Sequence, residues 1–208
     1  MSVDHASSSV VIVDTGGANL ASLKYAFQRL NVKAQVSIDA AVISTASHVV
    51  LPGVGAAGDA MQRLEQHRLN NVIKELTQPV LGICLGMHLL ANYSEEDDTP
   101  CLGVFNCDVR RIPASDALVV PHMGWNQTRQ SGDSLLFDGY ADPTFHYYVH
   151  SYAIAAHALP CAATYDYGER YAAVVQQGNF FATQFHPERS ASEGQRLLKN
   201  FLSITACN

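Results

Sequence analysis

The amino-acid sequence predicts an α/β fold with three layers, in which helices cover both faces of a mostly parallel central sheet. Apolar strand-like runs alternate with helical patterns over about the first 95 residues, as expected of a parallel sheet covered by helices. From about residue 101 to 185 the segments are short, β-branched or aromatic, and separated by turn signals. We therefore expect antiparallel strands in the second half, a flexible tail over residues 1–8 and a single domain over residues 9–208.

Three strand–helix units account for the first half. The run SVVIV passes through the turn DTGGAN into a helix whose apolar residues keep helical spacing, namely Leu20, Leu23, Phe27 and Leu30. The second unit runs from HVVLPGVG into a helix carrying Met61, Leu64, Val72 and Ile73. The third runs from PVLGI into MHLLANY, and the three units together predict a parallel sheet.

The second half contains three strand-like segments, FHYYVHSYAI, YAAVVQQG and NFFATQF. A final helix is predicted in SASEGQRLLKNFL, where Ser190 and Glu193 have the spacing of a capping box. Its apolar stripe consists of Leu197, Leu198, Phe201 and Leu202. No internal repeat or low-complexity linker interrupts the pattern.

Composition and charge narrow the function classes. Apolar residues make up 48% of the chain, charged residues 15%, and the net charge is −6 with the basic residues scattered, so neither nucleic acid nor a membrane surface is an expected partner. The N-terminus lacks a basic and an apolar signal region, and no apolar run is long enough to span a membrane. The cysteines have irregular spacing, which indicates reduced thiols and a cytoplasmic location.

Two motifs are weaker than they first appear. Gly53, Gly55 and Gly58 match a dinucleotide-binding G-x-G-x-x-G, but the next strand ends without the acidic residue that would hold a ribose. This loop is either a tight turn or a set of N–H groups that bind developing negative charge. His146 and His150 lie in a predicted strand, about 13 Å apart on one face, so we expect no metal site.

The stretch Gly82-Ile83-Cys84-Leu85-Gly86 has the pattern of a nucleophile elbow between a buried strand and a helix. A nucleophile on such a sharp turn has strained backbone geometry, and glycine neighbours let the chain and the substrate approach it. The N-terminal field of the following helix favours the thiolate. Cys84 is therefore a candidate nucleophile.

The segment QFHPE supplies a candidate base. Pro187 favours an extended conformation at His186, so the side chains of His186 and Glu188 can point to the same side. Glu188 would then orient one ring nitrogen while the other faces the thiol. The alternative interpretation of this segment is a histidine in a turn followed by a surface glutamate. The presence of the elbow disfavours this alternative.

Six motifs occur in register over about 180 residues: DTGGAN, LPGVG, GICLGM, PHMGWN, YVHSY and QFHPERS. In this order they resemble the triad-type class I glutamine amidotransferases, and among these the glutaminase subunits of imidazole glycerol phosphate synthases. The resemblance implies a flavodoxin-like fold without cofactor or metal. It also implies that Cys84 attacks glutamine, His186 moves protons and Glu188 orients His186.

The resemblance further implies a set of substrate contacts. Backbone N–H groups of Gly53, Val54, Gly55 and Leu85 would stabilise the oxyanion. Glu96 would bind the substrate amino group, Ser151 and Tyr152 would contact the substrate through their backbone, and the residue at position 88 would touch it. The family usually has glutamine at position 88, but here the residue is His88. Since a histidine titrates near neutrality, we expect a KM that depends on pH between about 6 and 7.5.

The resemblance also implies a partner. These glutaminases form heterodimers with a (β/α)8-barrel synthase subunit, which uses the ammonia to make imidazole glycerol phosphate and an aminoimidazole carboxamide ribotide in histidine biosynthesis. Asn19 and Trp125 match positions near that interface, although a cap residue and a core aromatic are the alternatives. Another amidotransferase of the same fold, or a binding subunit without activity, remains a possible function. The motifs DTGGAN and PHMGWN disfavour the former, and the intact triad disfavours the latter.

Overall fold

The computed structural model describes residues 9–16, 20–53, 55–116 and 118–205. The first half consists of alternating strands and helices, as predicted. These elements are β1 (Val10–Val13), α1 (Leu20–Arg29), β2 (Ala34–Ser37), α2 (Ala40–Thr45), β3 (His48–Leu51), α3 (Ala57–Gln66), α4 (Leu69–Lys74), β4 (Val80–Ile83) and α5 (Leu85–Leu89).

The second half is rich in strands and closes with one long helix. Its elements are β5 (Tyr93–Ser94), β6 (Thr99–Pro100), β7 (Asp108–Arg111), β8 (His122–Gln130), β9 (Thr144–His150), β10 (Tyr152–Ala153), β11 (Ala163–Tyr167), β12 (Glu169–Gln177), β13 (Phe180–Thr183) and α6 (Ala191–Ser203). Short 3-10 turns occupy Glu96–Asp98, Leu135–Phe137 and Pro187–Arg189.

A nine-stranded sheet forms the central layer, in the order β2-β1-β3-β4-β13-β12-β11-β8-β9. Strands β2, β1, β3, β4 and β13 are parallel to their neighbours within this group. From β13 to β9 every pairing is antiparallel. A second sheet has the order β10-β7-β5-β6. The predicted fold class, with antiparallel strands in the second half, is confirmed.

Helices cover both faces of the sheet because its central strands are apolar on both sides. In β1, Val10 and Ile12 pack with α1 and α6 in one buried cluster, which includes Phe27 and Phe201. Val11 and Val13 face the opposite cluster, built by α2 to α5 with Ile43, Leu64, Ile73 and Leu85. All four residues of β1 are buried, which explains the continuous apolar run in the sequence.

Three local predictions need correction. The helix predicted across Met61 and Ile73 is two helices, because Arg68 adopts a left-handed conformation (φ 57°) that interrupts it. The helix after the elbow ends at Leu89, after five residues. Ser190 stands at the N-terminus of α6 without capping it, since its hydroxyl makes no hydrogen bond to the first turn.

None of the helices in the described parts of the chain is long and apolar enough to cross a membrane.

Candidate active site

The loops that follow three neighbouring parallel strands meet at the carboxyl ends of those strands. β4 lies between β3 and β13, with Gly82 paired to Leu51 on one side and to Ala182 on the other. The loop after β3, the elbow after β4 and the QFHPE segment after β13 therefore start side by side. Sheet order thus brings together three motifs that are far apart in the sequence.

Cys84 has the strained backbone predicted for an elbow. Its φ and ψ angles are 50° and −105°, a region that residues with a side chain rarely occupy. Its N–H donates to the Thr183 carbonyl at 2.7 Å, which holds the elbow against β13. The buried sulfur lies 3.7 Å from the Val149 carbonyl, to which the thiol donates.

Glycines let the elbow and the loop after β3 pack backbone to backbone. A Cβ atom on Gly53 would lie 1.8 Å from the Ile83 carbonyl oxygen, and one on Gly86 would lie 2.0 Å from that of Leu51. A Cβ on Gly82 would meet the Gly86 carbonyl oxygen at 2.7 Å. Glycines from two distant motifs thus permit one close contact, which holds the loop after β3 against the elbow.

His186 and Glu188 form a buried pair. The Nδ1 atom of His186 lies 2.9 Å from Oε1 of Glu188, and the two side chains are 4% and 5% exposed. Burial lowers the pKa of His186, but the Cys84 thiolate and the Glu188 carboxylate outweigh it and raise the pKa to about 10. Nε2 of His186 has no hydrogen-bond partner within the described residues. The ring therefore has one nitrogen fixed by Glu188 and the other left for proton transfer near the sulfur.

Ser190 supports this pair, a role that the sequence analysis missed by assigning it to a helix cap. Its hydroxyl donates to the His186 carbonyl at 2.7 Å and accepts from the Tyr147 N–H at 2.9 Å. The His186 N–H in turn donates to the Tyr147 carbonyl at 2.9 Å. Ser190 thus ties the histidine backbone to β9. Its position four residues after the histidine is the only sequence signal.

A cavity of about 230 Å³ opens over the sulfur. Every described residue predicted to contact the substrate lines it: Gly53, Gly55, Leu85, His88, Glu96, Ser151 and Tyr152. Cys84 and His186 line it too, with Val149, His150 and Arg189 in addition, whereas Val54 lies outside the described residues. A larger depression of about 540 Å³ between α1 and β2 has no cysteine, histidine or carboxylate in its lining, so we place the chemistry in the smaller cavity.

Glu96 is half-buried at the rim of this cavity. Its Oε2 atom accepts a hydrogen bond from the Ala57 N–H at 3.0 Å, at the start of α3. Burial raises the pKa of Glu96, and this hydrogen bond opposes the shift. The carboxylate is positioned to receive a cationic group and also holds the end of the loop after β3.

His88 lines the cavity but does not titrate as predicted. It is buried, and its Nε2 atom lies 3.0 Å from Oε1 of Gln184. Burial lowers the pKa of His88 to about 4, an effect that the hydrogen bond to Gln184 only partly offsets. The ring is therefore neutral between pH 6 and 7.5. The structure therefore predicts a KM that does not depend on pH over this range, unlike the expectation from the sequence, because burial cannot be inferred from the residue type.

The two histidines of β9 hydrogen-bond to protein groups. As predicted, His146 and His150 lie on a strand, with both rings buried. Nδ1 of His146 bonds the Thr128 hydroxyl, and Nδ1 of His150 bonds the Tyr152 carbonyl at 2.8 Å. Within residues 9–16, 20–53, 55–116 and 118–205, no group of histidines, cysteines and carboxylates is arranged to hold a metal ion.

Trp125 lies on the surface, not in the core. Its side chain is 54% exposed on β8, beside the exposed Met123, and the neighbouring strand β9 carries the exposed Phe145. Trp125 pairs with Tyr147 across the two strands. Asn19, the other predicted interface residue, lies outside the described residues.

Comparison with known proteins gives a consistent result. The family model "Glutamine amidotransferase class-I" matches residues 11–204. A protein of Idiomarina loihiensis named imidazole glycerol phosphate synthase subunit HisH is 45% identical, covering 96% of this chain and all of that protein. A protein of the same name from Xanthomonas axonopodis is 46% identical over 94% of this chain and 98% of its own length. A solved glutamine amidotransferase superimposes with a TM-score of 0.71 at 18% identity, covering 93% of this chain and 96% of its own.

Proposed function

The chain belongs to the class I glutamine amidotransferase family, and we propose that it is the glutaminase subunit of an imidazole glycerol phosphate synthase. The observation that carries the proposal is that Cys84 and His186 line one cavity of about 230 Å³, while the buried Glu188 holds the other side of the His186 ring. A nucleophile, a proton carrier and an orienting carboxylate in this order can perform acyl transfer.

The proposed reaction begins with the Cys84 thiolate attacking the side-chain amide carbon of L-glutamine. A C–S bond forms, and the amide oxygen becomes an oxyanion. The N–H groups of Leu85 and of residues 53–55 stabilise this charge, and one such donor is worth roughly 3 to 4 kcal/mol. His186 then donates a proton to the nitrogen, which leaves as ammonia and yields a glutamyl thioester. His186 next accepts a proton from water, which attacks the thioester and releases glutamate.

Substrate binding follows from the charge and shape of the cavity. Glu96 faces the cavity from one side and would pair with the α-ammonium group of glutamine. Ser151 and Tyr152 also line the cavity and would contact the substrate through their backbone, and the hydrogen bond between His150 and the Tyr152 carbonyl holds this segment. His88 contributes a neutral ring, so it would contribute shape and hydrogen bonding rather than charge.

The proposed partner is a (β/α)8-barrel subunit that receives ammonia. Free ammonia in neutral water becomes ammonium and loses its nucleophilicity, so transfer inside a heterodimer preserves it. Met123, Trp125 and Phe145 support a docking face on β8 and β9, because three exposed apolar side chains lie on one surface. Strand β9 also reaches the active site, since the carbonyl of its residue Val149 accepts a hydrogen bond from Cys84.

We propose that the protein is located in the cytoplasm. We also propose that residues 9–208 form a single domain. The cysteines within the described residues, Cys84, Cys101, Cys107 and Cys161, are all unpaired, which supports a reducing compartment. The predicted tail over residues 1–8 lies outside the described residues.

The test is glutamate release by the purified chain, with and without a barrel synthase subunit and its nucleotide. We expect activity with that subunit and none in Cys84→Ala. Full activity in Cys84→Ala would overturn the mechanism. Stimulation by a different synthase would overturn only the pathway, in favour of another amidotransferase, and inactivity with every synthase would favour a binding subunit.

A further inference from the structure

We propose that Gln184 is an additional catalytic residue that donates a hydrogen bond to the Cys84 sulfur, and that His88 is a positioning residue that orients the Gln184 amide. The inference rests on the proposed function, since it concerns the same nucleophile. It assigns to His88 a task beyond substrate contact, and it gives a function to a glutamine that the mechanism above leaves unused.

Gln184 is completely buried. Among the described residues, the hydrogen-bond partners of its side-chain amide are both in the active site. Its Nε2 atom lies 3.9 Å from Sγ of Cys84, and its Oε1 atom lies 3.0 Å from Nε2 of His88. The Gln184 backbone is fixed, because its N–H donates to the Ala173 carbonyl at 2.9 Å. A buried amide must satisfy both ends, and here one end is directed to the nucleophile.

The chain geometry explains why these groups converge. His88 follows Cys84 by four residues, and the His88 N–H bonds the Cys84 carbonyl at 3.2 Å, so the two residues share one side of a helical turn. Gln184 follows the end of β13 and precedes His186 by two residues, in a bend that brings its amide to the sulfur. The Gln184 amide therefore links the sulfur to His88 on α5.

The hydrogen-bond directions leave one consistent arrangement. A thiolate is an acceptor, so Gln184 must present its N–H₂ group to the sulfur and its oxygen to His88. His88 must then carry its proton on Nε2, as a neutral ring can. A rotated amide would place its oxygen against the negative sulfur. His88 therefore selects the amide orientation that favours the thiolate.

Two hydrogen-bonding states compete for the sulfur. In the thiol state, Cys84 donates to the Val149 carbonyl at 3.7 Å. In the thiolate state, the sulfur accepts from Gln184 and interacts with the charged His186. The other titratable groups near this centre are His88 on α5, His150 on β9, Tyr165 on β11 and Glu188 beyond His186, together with Glu96, Tyr152 and Arg189 in the cavity lining. None of these others donates a hydrogen bond to the sulfur in the described structure.

The test measures alkylation of Cys84 by iodoacetamide from pH 5 to 9.5, with the modified peptide quantified by mass spectrometry so that the other cysteines do not interfere. In Gln184→Met, which keeps the length and removes the donor, we expect the half-maximal pH to rise by about 0.5 to 1 unit, as for loss of one weak charge-assisted bond. His88→Leu should shift it in the same direction by a smaller amount. His88→Gln, which retains an N–H donor, should restore the wild-type profile.

The double variant separates orientation from packing. If His88 acts through Gln184, adding His88→Leu to Gln184→Met should cause no further shift. An unchanged profile in folded Gln184→Met, or a further shift in the double variant, would overturn the proposal. Should Gln184→Met fail to fold, an unchanged profile in His88→Leu would overturn it equally.

This readout is independent of glutamine turnover. A wild-type chain that releases no glutamate with any synthase, but whose alkylation profile shifts in Gln184→Met, would refute the proposed function and with it the catalytic role, while the hydrogen bond from Gln184 to the sulfur would stand. A chain that releases glutamate normally but shows no shift in Gln184→Met would support the proposed function and refute the role of Gln184.

Discussion

Replacing Gly86 with alanine tests whether the close contact between the elbow and the loop after β3 sets the catalytic geometry. The added Cβ would lie 2.0 Å from the Leu51 carbonyl oxygen and 3.2 Å from that of Pro52. Real Cβ atoms essentially never approach closer than 3.0 Å, so the backbones must separate by about 1.0 Å (3.0 − 2.0). Both neighbours are backbone atoms, and neither can rotate away.

This separation acts directly on the reaction. Cys84 and the proposed donor Leu85 lie on the turn that carries Gly86, whereas the other proposed oxyanion donors lie on the loop that follows Leu51. A donor at about 2.9 Å would move to about 3.9 Å, which removes most of its hydrogen bond. Loss of one oxyanion donor costs about 10² to 10³ in kcat. Overpacking should also lower the free energy of unfolding by about 1 to 3 kcal/mol.

Glutamate release at saturating glutamine, with the barrel subunit present, measures this effect. We expect kcat to fall at least about hundredfold with a smaller change in KM, because the proposed substrate contacts of Ser151 and Tyr152 come from a segment that the added methyl group does not touch. Gly132→Ala is the matched control, since its Cβ would meet only ordinary contacts from 3.4 Å outward. A folded Gly86→Ala protein with kcat within threefold of wild type would refute the argument. Urea unfolding of both variants reports the stability.

Three further outcomes are expected. Cys84→Ala should lower the pKa of His186 well below its value of about 10, because the thiolate is the largest effect that raises it; an imidazole still titrating near 10 by NMR would assign the shift to Glu188 instead. The KM for glutamine should be flat from pH 6 to 7.5, since burial lowers the pKa of His88 to about 4; a KM that changes severalfold across this range would contradict a neutral ring. The free energy of unfolding should fall as the pH drops from 6.5 to 5, because His88 and His146, with pKa values lowered to about 4 and about 3, bind protons there only after unfolding. The loss should be on the order of 2 kcal/mol for each histidine at pH 5, and an unfolding midpoint in urea that is constant over this range would contradict it.

Much of the candidate site could be predicted from local patterns. The G-x-C-x-G elbow predicted the strained backbone at Cys84, because a sharp strand-to-helix turn has the same requirements in any fold. The QFHPE segment predicted the contact of His186 with Glu188, although the structure makes it differently: His186 is extended as predicted, but Glu188 lies in a 3-10 turn and not on an extended chain. Local patterns failed for Ser190, whose capping-box spacing also fits a hydroxyl that bonds the neighbouring strand instead.

The sequence by itself determined the alternation of strands and helices, the strained elbow at Cys84 and the pairing of His186 with Glu188, because each depends on residues close together in the chain. Only the tertiary structure decided that β4 lies between β3 and β13, that His88 is neutral and bonded to Gln184, and that Trp125 is exposed. Sheet order and burial depend on contacts between distant segments. The titration of a histidine and the exposure of an aromatic ring follow from those contacts, and not from the residue type.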